Sequence, residues 1–174
     1  MGDVVGVNNG NEIIYEEKIF AHGITAVLTA ATVLIILVWL FQVLLGITTI
    51  LPFINWLFLF LTLLLIGLTL NFRKLEIRMT PKFIYVGFGI FRHQIPWKYV
   101  ENCSIDEPSF LKYGGLGLRI RHVGGKWRII YNAIWSPLVV LSLNDGRIKE
   151  FGFSTNKPEE VLFLVKQQIR SIKP

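Results

Sequence analysis

The chain has 174 residues, is 52% hydrophobic and carries a formal net charge of +6. Its single cysteine, Cys103, excludes an intrachain disulfide and a cysteine-held zinc or iron–sulfur centre. Once the long apolar stretch described next is set aside, about 100 residues remain from Arg73 to Pro174, enough for one compact domain and not two.

The first 22 residues carry Asp3, Glu12, Glu16 and Glu17 against one base, Lys18. The start, Met1-Gly2-Asp3-Val4-Val5-Gly6, lacks the Ser or Thr that N-myristoylation prefers. Between Lys18 and Arg73 there is no Asp, Glu, Lys or Arg. That gap is too long for one membrane span, which needs about 20 apolar residues, and suits two. The pattern predicts helices over 23–45 and 54–71. Between them Gly46 to Pro52 forms a short turn with a helix breaker at each end. A buried soluble helix pair is the alternative, but it needs a charged face and neither segment has one. The first segment has no basic leader and is too long for the core of a cleaved signal.

Charge flanks orient this hairpin. Arg73, Lys74 and Arg78 follow the second helix, while the 46–52 turn is uncharged. Lys and Arg near membrane ends stay cytoplasmic, so both termini are expected inside, in a multi-pass protein of the cell membrane. Trp56 lies where interfacial Trp is favoured. Gln42 and Asn55 are polar groups able to bond to each other or to a neighbouring helix, and Gly67 and Thr69 suit close helix packing.

From Arg73 onward the chain has 17 Lys plus Arg against 8 Asp plus Glu, a net of +9. Alternation and turn residues predict strands at 74–80, 83–86, 90–95, about 101–107, 117–123, 126–132, 138–143 and 147–153. Turns fall at Gly87-Phe88-Gly89, Gly124-Gly125 and Asn144-Asp145-Gly146. A helix follows over 157–173, with Asn156 as its cap and Leu162, Val165 and Ile169 on its buried stripe. The expected class is α+β with a membrane segment: an N-terminal two-helix hairpin, then an antiparallel bent sheet or open barrel plugged by the C-terminal helix.

Several stretches are family-like. Asn11-Glu12-Ile13-Ile14-Tyr15-Glu16 resembles the segment that precedes the helical hairpin in membrane-anchored bacterial-type pleckstrin-homology-like (PH-like) domain proteins. Tyr113-Gly114-Gly115-Leu116-Gly117-Leu118-Arg119 is similar to their loop-to-strand entry. Asn144-Asp145-Gly146-Arg147 and Thr155-Asn156-Lys157-Pro158-Glu159-Glu160 resemble their last hairpin and helix start. The resemblance covers nearly the whole chain and implies a PH-like β-domain over 73–174. It transfers no enzyme activity, cofactor or ligand.

The most pointed site candidate is the hairpin 117–132. With a Gly124-Gly125 turn, Arg121 lies opposite Arg128 and Val123 opposite Lys126. Leu118, Ile120, Trp127, Ile129 and Tyr131 then face the core, and Arg119, Arg121, Lys126 and Arg128 share the other face with Val123 and Ile130. Like charges directly opposite on a sheet repel. Either the four cations splay into water, or an anionic lipid surface or acidic protein relieves them. The three histidines show no metal spacing, Asp106 and Glu107 point to opposite faces of a strand, and no nucleophile or phosphate-loop motif is present. The expectation is therefore a non-catalytic membrane-anchored binding or scaffolding module, with no cofactor and no nucleic-acid partner. Its partners would be membrane lipids or an integral-membrane protein. The alternatives are an accessory or assembly subunit of a larger membrane complex and, further off, a membrane-bound enzyme.

Overall fold

The structure is a computed structural model and describes residues 13–47, 52–106, 116–123, 125–133, 137–144 and 146–172. The expected motifs at Asn11-Glu12 and Tyr113-Gly114-Gly115, most of the 46–52 turn, Glu107, Gly124, Asp145 and Lys173 lie outside them.

The first strand among the described residues is one that the sequence pattern does not predict. Tyr15–Phe20 (β1) pairs antiparallel with Lys74–Met79 (β2), from Tyr15 opposite Met79 to Phe20 opposite Lys74. Residues 15–20 are therefore part of the β-domain and not a separate tail. Between β1 and β2 lie the two apolar helices, His22–Leu44 (α1) and Phe53–Phe72 (α2). Each helix comes within two residues of its expected bounds. The backbone N–H of Ala21 donates to Arg73 O at 3.0 Å, so the ladder closes at the foot of the helices. No residue of either helix is buried within the molecule. Trp39 Nε1 donates to Asn55 Oδ1 at 2.9 Å, so Asn55 is bonded across the pair by Trp39 and not by Gln42. Gly67 faces open space and is no close-packing point.

β2 continues into Phe83–Phe88 (β3) and Phe91–Pro96 (β4), completing a sheet of order β1-β2-β3-β4. The expected turn at Gly87-Phe88-Gly89 moves to Gly89-Ile90, because Phe88 pairs with Phe91. The reason is burial: Ile84, Val86 and Phe88 alternate inward, and Phe88 is fully buried. Gly89 has φ +45, and a Cβ there would collide with Asn71 at the end of α2. Asn71 Oδ1 accepts the Ile90 N–H at 2.8 Å, tying this turn to the helix.

A 3-10 turn, Trp97–Tyr99, leads to the second sheet. Trp97 is buried and donates from Nε1 to Thr80 O at 2.7 Å. The second sheet comprises Val100–Asp106 (β5), Gly117–Val123 (β6), Lys126–Asn132 (β7), Leu138–Leu143 (β8) and Ile148–Ser154 (β9), in the order β5-β8-β9-β7-β6. Of the expected antiparallel open barrel or sandwich, no barrel is closed among the described residues and one strand pair departs from the antiparallel pattern. The described strands form two separate sheets, and β7 runs parallel to β9. The β8–β9 hairpin lies between β5 and β7, so β9 returns in the direction of β7. Ser154 Oγ receives the Ala133 N–H at 2.9 Å and holds the β7–β8 connection across the end of β9.

One core draws on both sheets and on Pro158–Ile172 (α3): Leu75, Ile77, Phe88, Tyr131, Leu141, Phe151 and Phe153 with Val161 and Val165. The buried stripe of α3 is thus Val161 and Val165. Leu162 and Ile169 are only partly buried against it. Asn156 lies ahead of the helix. Its N–H goes to Glu17 Oε1 at 3.0 Å, and Thr155 Oγ1 also donates to that carboxylate. A carboxylate near a helix start is electrostatically favourable, and here it comes from β1.

Because Ala21 and Arg73 are hydrogen-bonded neighbours, replacing residues 22–72 by a four-residue Gly/Asn turn should give a folded, water-soluble domain. A fragment starting at Arg73 lacks β1 and the Glu17 contacts and should melt at a lower temperature, or not fold. Circular dichroism melting of the two proteins, compared directly, checks this.

Candidate functional site: two basic surfaces

The β6–β7 hairpin has the expected register: Arg121 is opposite Arg128, His122 opposite Trp127 and Val123 opposite Lys126. Gly125 has φ +79, as a two-residue hairpin turn requires. The expected repulsion is largely answered from within the sheet. Arg128 lies beside Glu150 of β9, and Arg128 Nη2 reaches Glu150 Oε2 at 2.7 Å with both side chains about one-fifth exposed. Sequence reasoning misses this pair because it follows from the parallel β7–β9 register. Arg119 and Arg121 are exposed on the edge strand β6, and Lys126 is partly exposed.

The expected core face is also corrected. Ile129 and Tyr131 are buried, but Ile120 is 57% and Trp127 47% exposed. The turn end of the hairpin extends past the core. Ile130, placed with the cations, is buried instead with Leu138 and Val140 on that face. Along β6, Arg121 is five residues, about 16 Å, from Leu116, which packs against Gly23 at the start of α1.

A second basic surface is not singled out by the sequence pattern. It forms on the outer face of β1–β2, where the strands leave the helices. A cleft of about 370 Å³ is lined by Lys18, Arg73, Lys74 and Arg92, with Glu76 as its one acid and Leu70 and Asn71 from the last turns of α2. Glu76 is shared by three bases: Arg78 at 2.6 Å, Arg92 at 3.6 Å and Lys18 at 3.8 Å. Glu16 is paired with Lys18 at 2.7 Å and with Arg78 at 3.3 Å. The Lys18 hydrogen bond holds the Glu16 carboxyl below the usual carboxylate range. Arg73 and Lys74 have no carboxylate partner among the described residues. They lie over the Phe20 ring at 5.9 and 5.0 Å. Asn71 Nδ2 is buried without a hydrogen-bond partner among the described residues. The sequence signal is present in Arg73-Lys74, but Lys18 and Arg92 join it only through the pairing of β1 and the β3–β4 turn.

The histidines remain apart. His93 bridges the two sheets: Tyr131 Oη lies 2.5 Å from His93 Nδ1. Burial pushes the Tyr131 phenol up to about 12, so it stays protonated; its Oη also reaches Phe91 O at 3.4 Å, and which partner donates in the His93 pair follows the imidazole tautomer. Burial also holds the His93 imidazole below its ordinary value. Cys103 is buried, and burial pushes its thiol up to about 12, against nucleophilic use. Among the described residues no three His, Cys, Asp or Glu side chains converge as a metal site. The chain matches no family model, no curated protein and no solved structure.

Glu150→Gln leaves a half-buried Arg128 facing Arg121 and should cost about 1–3 kcal/mol, between the values for exposed and buried pairs. Arg121→Gln should be neutral or slightly stabilising, and denaturant titration of the soluble domain distinguishes the two. For His93, the folded state binds fewer protons than the unfolded one below pH about 6.5. Stability is therefore fully present above that pH and is lost as pH falls through the unfolded value toward the lower folded one. The fall in melting temperature between pH 7.5 and 5.5 should be smaller in His93→Gln than in the unchanged domain.

Proposed function

We propose that this chain is a membrane-anchored, non-catalytic binding or scaffolding protein. The hairpin spans the bilayer, and a PH-like β-domain is held at its cytoplasmic face to make lipid-headgroup or protein contacts. The observation that carries this reading is the nakedness of the hairpin. At 1.5 Å per residue, helices of 23 and 20 residues are about 35 and 30 Å long, the thickness of a hydrocarbon core. Only at the foot, through Ile24 and Phe72, do their apolar side chains pack against the core, and none of them is buried. An apolar surface of that extent is incompatible with water and needs a covering medium.

The PH-like assignment rests on the resemblance of the quoted motifs. Two sheets around one core with a C-terminal helix support it. The cytoplasmic placement rests on Arg73, Lys74 and Arg78 at the foot of α2. The exposed tip of β6–β7, with Ile120, Trp127, Arg119 and Arg121, is read as a contact surface for a partner, since aromatic and Arg side chains are enriched at interfaces.

The topology is testable in intact cells. Arg170→Cys, on the exposed face of α3 in a Cys103→Ser background, should react with a membrane-impermeant maleimide only after the cells are opened. Labelling of intact cells would place the β-domain outside and overturn the cytoplasmic assignment.

A further inference from the structure

We propose that the cleft at the foot of the hairpin binds the phosphate of an anionic phospholipid, gripping one lipid beside α2. The inference rests on the membrane reading above and adds a ligand and its residues. Position favours it first. Leu70 and Asn71 line the cleft together with Arg73 and Lys74, the first charged residues after the apolar stretch. If α2 crosses the bilayer, the cleft opens at headgroup depth, where a lipid needs no displacement to enter it.

Charge points the same way. The cleft and its immediate neighbours bring Lys18, Arg73, Lys74, Arg78 and Arg92 against the carboxylates of Glu16 and Glu76. Both acids are already bridged by two or more bases. Three positive charges are left over within one cleft, and Arg73 and Lys74 are the two with no acid among the described residues. Arg73 is suited to a bidentate grip on phosphate, and Lys74 adds a compact charge.

A residue that lines the cleft also carries an unfilled donor. Asn71 spends Oδ1 on the Ile90 N–H and leaves Nδ2 buried and unpaired among the described residues. A buried donor without a partner is costly, and an acceptor oxygen entering from the cleft, or a water carried with it, satisfies it. Both cations lie over the Phe20 ring, so the site is built in part on the β1–β2 pair. The β6–β7 cations lack these features. One of them is paired with Glu150, and the residue seen against Gly23 of α1, Leu116, lies at the end of the hairpin away from its turn.

The test uses the full chain in detergent and in nanodiscs. Native mass spectrometry with phosphatidylglycerol and phosphatidylcholine should show one tightly retained phosphatidylglycerol per chain, with phosphatidylcholine lost at lower activation energy. Arg73→Gln/Lys74→Gln should weaken phosphatidylglycerol retention about thirty-fold, taking the ordinary worth of two headgroup-level cations. Arg119→Gln/Arg121→Gln should leave it unchanged. Lys74→Gln alone, with an unaltered melting curve, serves if the double variant is unstable, and a several-fold loss is expected. Equal retention of the two lipids, or equal loss in both double variants, overturns the proposal. Displacement of the lipid by millimolar glycerol 3-phosphate would overturn the lipid assignment in favour of a soluble phosphate. A chain that enters nanodiscs but does not discriminate the lipids refutes the cleft and leaves the anchor standing, whereas a chain that stays out of the bilayer refutes the anchor itself.

Discussion

The structure depends on the pairing of β1 with β2 across the foot of the helical hairpin. Hydrogen bonds from Tyr15–Met79 to Phe20–Lys74, closed by Ala21 and Arg73, make the two apolar helices an insertion within a β-hairpin. The consequence is mechanical. A domain joined to its anchor by one strand can swing about the linker, but one joined by two paired strands cannot do so without breaking the ladder. Phe72 adds to this by packing on Phe88 and Phe91 at ring distances of 5.3 and 5.7 Å, and Asn71 by bonding to the β3–β4 turn.

The same pairing organises the charges. Inward, β1 contributes Tyr15 and Ile19 to the core and Glu17 to the start of α3. Tyr15 also donates to Glu17, and burial raises its phenol well above the ordinary range. Outward, β1 sets Glu16 and Lys18 against Arg78 and Glu76 in a grid of alternating sign. Opposite charges on facing positions stabilise a sheet modestly. The grid is nearly neutral at its centre and becomes cationic toward the helices, because Arg92 joins it there by sharing Glu76, and Arg73 and Lys74 join it with no acid of their own among the described residues. The electrostatic gradient thus points at the hairpin foot.

Parts of this fold are legible in the sequence for physical reasons. The helices are legible because some 50 residues without a charge leave two apolar stretches, each about as long as a bilayer-spanning helix. The helix α3 is legible because its apolar residues recur at helical spacing behind Pro158. The β6–β7 register is legible because two adjacent glycines permit a tight turn. β1 is not legible: it is a six-residue strand with three charged residues, and its partner lies beyond the hairpin. The Arg128–Glu150 pair is hidden for a related reason, since a parallel register depends on which strand inserts where. Phe88 defeats the turn reading because burial of one more aromatic outweighs the pull of Gly87 toward a turn. The exposure of Ile120 and Trp127 is invisible to alternation, which reports the face of a strand and not how far the core extends along it.

If β1 belongs to the β-domain and locks it onto the anchor, its backbone must be held as firmly as the strands beside it. Amide hydrogen exchange of the full chain in lipid nanodiscs measures this directly, because protection reports whether each backbone N–H is held in a ladder. The ladder-facing amides of 15–21 should exchange as slowly as those of β2 and β3. Exchange of 15–21 at the rate of a free peptide, beside a protected β2, would contradict the lock.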